Sequence, residues 1–164
     1  MGTGKTAVAK AFARELGMTY VSVDELIVAR EKRPIKDIFR DDGEPYFRKV
    51  EKEVVAEISS KEGQVIDTGG GVVLDAGNMG NLRTGGVVVC LCASPETVYE
   101  RTSRSKQRPL LDVDDPLGRI KELLEYRRPF YEKADFHVMT DGMNVASVVE
   151  KVRKIVDEES KAAK

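Results

Sequence analysis

Met1 to Thr6 read M-G-T-G-K-T. Gly4, Lys5 and Thr6 supply the second half of the pattern G-x-x-x-x-G-K-[ST], and Gly2 and Thr3 lie inside it. Small residues let successive backbone N–H groups curl around a phosphate. The lysine then reaches the outer phosphates, and the hydroxyl ligates Mg²⁺. Such a loop opens a helix, whose partly positive N-terminus adds to the anion site. The chemistry implied is nucleotide binding; the bland alternative is a glycine turn before a helix. The first glycine of the pattern would fall two residues before Met1. The buried strand that normally leads into such a loop would fall there too.

A second group of residues closes an apolar run: Asp67, Thr68, Gly69, Gly70 and Gly71. Each glycine costs backbone entropy, so three together suggest close approach of the backbone to a ligand. The alternative is a plain glycine turn. A carboxylate such as Asp67, at a strand end beside a phosphate loop, suits Mg²⁺ held directly or through water. Asp24 follows another short apolar run. It is a candidate catalytic carboxylate or a helix N-cap, although Ile27 three residues on forms no capping box. Arg48 and Arg127 are candidates for forked recognition of a carboxylate, with surface ion pairing as the alternative. The stretch 103–115 carries Arg104, Lys106 and Arg108 with little helical period. It reads as a lid over phosphates or as a solvated basic loop. Cys90 and Cys92 share one face of a strand pattern and read as buried thiols rather than metal ligands. His137, inside another strand pattern, reads as structural.

Positioning these groups needs a scaffold. Strand-like runs fall at 20–23, 65–67, 87–92 and 136–139. Helical patterns fall at 5–16, 24–31, 34–41, 44–60, 95–104, 116–128 and 144–158, with Pro129 expected to end one of them. The tail from Glu158 to Lys164 is expected to fray. Alternating strands and helices imply an α/β fold, a parallel sheet covered on both faces. At 164 residues one domain is expected. A net charge of −1 argues against a general nucleic-acid or membrane-surface binder. No apolar stretch is long enough to span a bilayer. A cytoplasmic monomer acting on small molecules is expected.

Taken together, the chain resembles shikimate kinase. The resemblance runs from Met1 to about Val156. It is carried by M-G-T-G-K-T, V-S-V-D-E-L-I, D-I-F-R-D-D-G-E-P-Y-F-R-K-V-E, V-I-D-T-G-G-G-V-V, S-P-E-T-V-Y-E-R, R-P-L-L and R-R-P-F-Y, in that order. It implies transfer of the γ-phosphate of ATP to the 3-hydroxyl of shikimate, with Mg²⁺, on the route to aromatic amino acids. It implies a three-layer α/β/α fold like that of the nucleoside monophosphate kinases, with sheet order 2-3-1-4-5. The lid would span about 103–115, and a helical segment at about 24–60 would bind shikimate. Gly2, Thr3, Gly4, Lys5 and Thr6 match the phosphate loop, and Asp24 the proposed base. Arg48 and Arg127 match the carboxylate-gripping arginines. Gly69, Gly70 and Gly71 match the glycine segment at that site, and Phe39 and Phe47 its apolar wall. Arg108 matches the lid arginine and Arg101 the one that packs on adenine.

Two departures from the family pattern matter. Ser22 stands where the family usually has the first aspartate of D-x-D, which helps hold Mg²⁺. Asp67 stands where the family often has Ala or Ser. The carboxylate is therefore expected to have moved to the neighbouring strand end, making Thr6 and Asp67 the metal-side pair. The other departure is the absent strand 1. Loss of a central strand should rival the stability of a whole domain, ~5–15 kcal/mol. The chain alone is expected to be unstable or inactive, and the natural protein longer by roughly ten residues. The rival readings are a kinase for another small hydroxylated acid and a non-catalytic relic that binds nucleotide.

Overall fold

The computed structural model describes residues 2–103, 111 and 113–162. The chain opens with α1 (Lys5–Leu16), which buries Val8, Phe12 and Ala13 on one face. Gly17 ends it at φ 64°, with Met18 N–H on the Ala13 carbonyl. That left-handed cap satisfies the last carbonyls and turns the chain into β1 (Thr19–Ser22). Three helices follow: α2 (Val23–Glu31), α3 (Ile35–Asp41) and α4 (Gly43–Ser59). β2 (Gln64–Asp67) then pairs with β1 in parallel, Ser22 opposite Asp67.

A 3₁₀ turn (Val72–Leu74) and α5 (Ala76–Thr84) lead to β3 (Val89–Cys92). Next come α6 (Pro95–Thr102), α7 (Pro116–Tyr131), β4 (Phe136–Met139) and α8 (Val145–Ala162). β3 and β4 also pair in parallel. The described strands form two pairs, β1 with β2 and β3 with β4. No described strand joins the two pairs.

Both faces are covered. Val8, Phe12, Val148, Val149 and Val152 from α1 and α8 meet Val65, Val89, Leu91 and Val138. The alternate residues Val21 and Ile66 turn to the opposite face, against α2 and α4. This is the period-two split of an α/β sheet buried on both sides.

Several boundaries differ from the sequence expectation. Val23 begins α2 rather than ending β1. α7 runs through Pro129 to Tyr131. Only one short turn remains beyond the proline, and the Tyr131 hydroxyl anchors that turn on the Gly70 carbonyl at 2.9 Å. α8 is helical to Ala162, four residues past its expected end at Glu158. α5 was not expected at all: its Gly77 and Gly80 hide the pattern, while Asp75 caps it by accepting from Asn78 N–H at 3.0 Å. Cys90 and Cys92 are half-buried, with Sγ atoms 3.8 Å apart. No helix among the described residues is long and apolar enough to cross a membrane.

Candidate active site

The carboxyl ends of β1 and β2 meet the first turn of α1. There Thr6 Oγ1 donates to Asp67 Oδ2 at 2.6 Å. Tyr20 OH donates to the same oxygen at 3.2 Å. Burial, then the Asp67 charge, pushes Tyr20 up to about 12. Tyr20 is therefore a protonated donor at neutral pH. Asp67 itself is 8% exposed. The N-cap of α2 is Ser22, whose hydroxyl accepts from Glu25 N–H at 3.2 Å. Asp24 is thus not the cap. It sits in the first turn of α2, exposed, and lines the same cavity as Lys5 and Thr6.

Gly2 and Gly4 take left-handed φ values of 65° and 89°. A β-carbon on Gly2 would also come within 2.8 Å of Thr102 Cγ2, so both conformation and space demand glycine. Gly4 is the N-cap residue of α1, which has no side-chain cap and no acid in its first turn among the described residues. Thr3 is buried, and its Oγ1 has no hydrogen-bond partner among them. A bare helix N-terminus, two left-handed glycines and Lys5 fit a polyphosphate. Arg101 is held at the end of β4, donating to Thr140 Oγ1 and to the Thr140 carbonyl, each at 3.0 Å. Arg108 lies outside the described residues, as does most of the expected lid segment.

The other end of the cavity is built on α4. Its buried residues are Phe47, Val50, Glu51, Val54, Val55 and Ile58, a stripe at helical spacing. Glu51 is the acid in that stripe and is 1% exposed. Its Oε2 accepts from Arg48 Nη1 at 2.8 Å, while Glu44 Oε1 accepts from Arg48 Nη2 at 2.9 Å. Burial pushes Glu51 up, against the pull of Arg48. The guanidinium lies across Gly71: a β-carbon there would clash with Nη1 and Nη2. Gly69 gives Asp24 similar room, its absent β-carbon site lying 3.3 Å from Asp24 Oδ1. Phe39 and Phe47 pack at 4.8 Å between ring centroids as an apolar wall.

On α7, Arg127 and Tyr131 are four residues apart and share a face. Tyr131 fixes Gly70, as described above. Arg127 is 5% exposed, and its Nε has no hydrogen-bond partner among the described residues. A buried cationic donor left without an acceptor marks a place for an anionic ligand. Arg48, Arg127, Asp24, Lys5, Thr6 and Gly69 to Gly71 line one cavity of about 260 Å³. A larger cavity of about 490 Å³ shares the Arg127 wall but contains no part of the phosphate loop.

The model of the shikimate kinase family matches residues 1–157. The chain belongs to the shikimate kinase family. It is 48% identical over 154 residues to a shikimate kinase of Thermodesulfovibrio yellowstonii, covering 94% of this chain and 89% of the relative. It is 45% identical to one from Thermus thermophilus, covering 93% and 83%. A solved shikimate kinase from Acinetobacter baumannii, in complex with shikimate, superposes with a TM-score of 0.93. That pair shares 33% identity over 97% of this chain and 89% of the other. The Aquifex aeolicus enzyme gives 0.84 at 36% identity, covering 98% and 94%.

Shikimate kinases use ATP with Mg²⁺, and the residues here fit both. The Thr6 hydroxyl and the Asp67 carboxylate are hard oxygen donors of the kind Mg²⁺ takes. The described residues contain no cluster of three or more acidic, His or Cys side chains able to hold a metal. Three residues escaped the sequence reading: Glu51, Tyr20 and Tyr131. Glu51 had a detectable signal, a charge at a stripe position where every neighbour is apolar. Tyr20 and Tyr131 had none, because their partners lie 47 and 61 residues away.

Proposed function

We infer that this chain transfers the γ-phosphoryl group of ATP to the 3-hydroxyl of shikimate. One observation carries the reading: a phosphate loop, a carboxylate and two arginines converge on one cavity. Lys5 and the N-terminus of α1 hold the phosphates, and Arg108 adds positive charge as the phosphoryl group leaves. Thr6 and Asp67 would hold Mg²⁺, which would further neutralise the phosphate oxygens when bound. Asp24 orients the 3-hydroxyl and accepts its proton. Arg48 and Arg127 grip the carboxylate, so that one hydroxyl is presented to the phosphorus. Phe39 and Phe47 pack on the ring, and the Gly69–Gly71 backbone closes against it. Arg101 packs on the adenine.

The paired arginines favour a hydroxylated carboxylic acid over a nucleoside as acceptor. The near-neutral charge fits an enzyme of small molecules rather than a binder of nucleic acid or membrane surfaces. A coupled ADP-release assay tests the reading. ADP release should depend on both shikimate and Mg²⁺. Arg127→Ala should raise the KM for shikimate far more than that for ATP. ATP binding without any response to shikimate would overturn the assignment.

A further inference from the structure

Two hydroxyls from different elements end on one carboxylate oxygen, Asp67 Oδ2: Thr6 Oγ1 at 2.6 Å and Tyr20 OH at 3.2 Å. Each bond has a distinct consequence. A hydroxyl that donates its proton to a carboxylate keeps both lone pairs for something else. With its O–H donated to Asp67, the Thr6 oxygen is turned with its lone pairs away from the carboxylate and open to a cation. A carboxylate with one oxygen doubly engaged has a fixed plane, and Oδ1 is engaged by neither hydroxyl. The tyrosine ring is itself held in place, with Lys10 Nζ of α1 5.0 Å from its centroid.

β1 contributes no carboxylate at this edge. Ser22, directly opposite Asp67, spends its hydroxyl on the first turn of α2. Tyr20 lies two residues earlier on the same strand face. Its hydroxyl is the side-chain group that β1 directs at Asp67. The proposal rests on the reading of Asp67 as the cation's carboxylate. We propose that Tyr20 is a positioning residue for the divalent cation: by holding Oδ2 it sets the direction of Oδ1 and the proton of Thr6. It acts through Asp67 and touches neither substrate nor phosphate. Outer hydrogen bonds of this kind typically change metal affinity by about 10–100-fold when removed.

The plain alternative is that Tyr20 merely fastens β1 to β2. Mn²⁺ is the probe that separates the two. Its affinity at saturating ADP is read from the free-Mn²⁺ electron paramagnetic resonance signal, on the whole chain. Four proteins are compared: wild type, Tyr20→Phe, Asp67→Asn and the double variant. Tyr20→Phe keeps the ring, so the strand packing survives. It should weaken Mn²⁺ by roughly tenfold, with metal-free ADP affinity unchanged. In the Asp67→Asn background the same substitution should add nothing, because its route is gone. Equal weakening in both backgrounds, or none in either, would overturn the role of Tyr20 while leaving that of Asp67 intact. Unaltered Mn²⁺ affinity in Asp67→Asn would overturn the carboxylate reading itself.

Discussion

Arg48 Nη1 donates to Glu51 Oε2 at 2.8 Å, and the two differ in exposure: the Glu51 side chain is 2% exposed, that of Arg48 24%. The acid is the fixed member. It sits in the apolar stripe of α4 and holds one side of a cavity-lining arginine whose Nη2 donates to Glu44 Oε1. Glu51→Gln keeps an acceptor but removes its charge. Hydrogen bonds to charged groups contribute about 1.5–3 kcal/mol, so the KM for shikimate should rise by about tenfold. The KM for ATP should stay constant. A parallel rise in both would show that Glu51 supports the domain rather than the arginine.

The same residue sets a pH dependence. Burial raises Glu51 above its ordinary 4.5. The folded state then keeps this proton at pH values where the unfolded chain has released it. Its contribution to stability is therefore lost as pH rises from about 4.5 through the raised value, and is constant above that. Glu51→Gln lacks this term. Urea unfolding at a series of pH values should show the variant gaining on the wild type across that window. Two curves that stay parallel would mean the acid is not perturbed by the fold.

Gly71 tests where the Arg48 guanidinium lies. Its φ is −100°, so alanine meets no backbone strain there. The clash is with the tip of a flexible side chain, the Arg48 guanidinium. Gly71→Ala should lower the melting temperature by a few degrees, because the displaced guanidinium loosens its bond to the buried Glu51 carboxylate, about 1–3 kcal/mol. The displaced guanidinium should cost roughly tenfold in shikimate KM, one charged hydrogen bond. A large fall in melting temperature with normal KM would place the crowding elsewhere.

Most of this site is visible in residue types and spacing, because the phosphate loop and the glycine run are local. Lys5, Thr6, Asp24, Arg48, Asp67 and Arg127 do line one cavity. Some of what escaped was local and some tertiary. The place of Glu51 among Phe47, Val50, Val54 and Val55 on one helical face is readable from spacing, whereas its burial beneath the site is not. Pro129 reads as a stop, yet α7 passes it because the Tyr131 hydroxyl holds the last turn on Gly70. Ser22 reads as a lost metal ligand and proves also to be the cap of α2, a local role that the spacing to Glu25 could have disclosed.

Arg127 combines near-complete burial with an Nε that has no acceptor among the described residues. A buried polar donor without a partner costs about 1–3 kcal/mol. The ligand-free fold bears that cost, and a bound carboxylate relieves it. Arg127→Met keeps an unbranched side chain but removes the charge and the orphaned donor. The variant should therefore melt at or above the wild-type temperature without ligand. Shikimate, which should stabilise the wild type, should no longer shift its melting point. Loss of two charged hydrogen bonds predicts a rise in shikimate KM of at least about a hundredfold. Thermal scans of both proteins, with and without shikimate, make the comparison. If Arg127→Met melted well below the wild type in the absence of ligand, the arginine would be a structural member of the core.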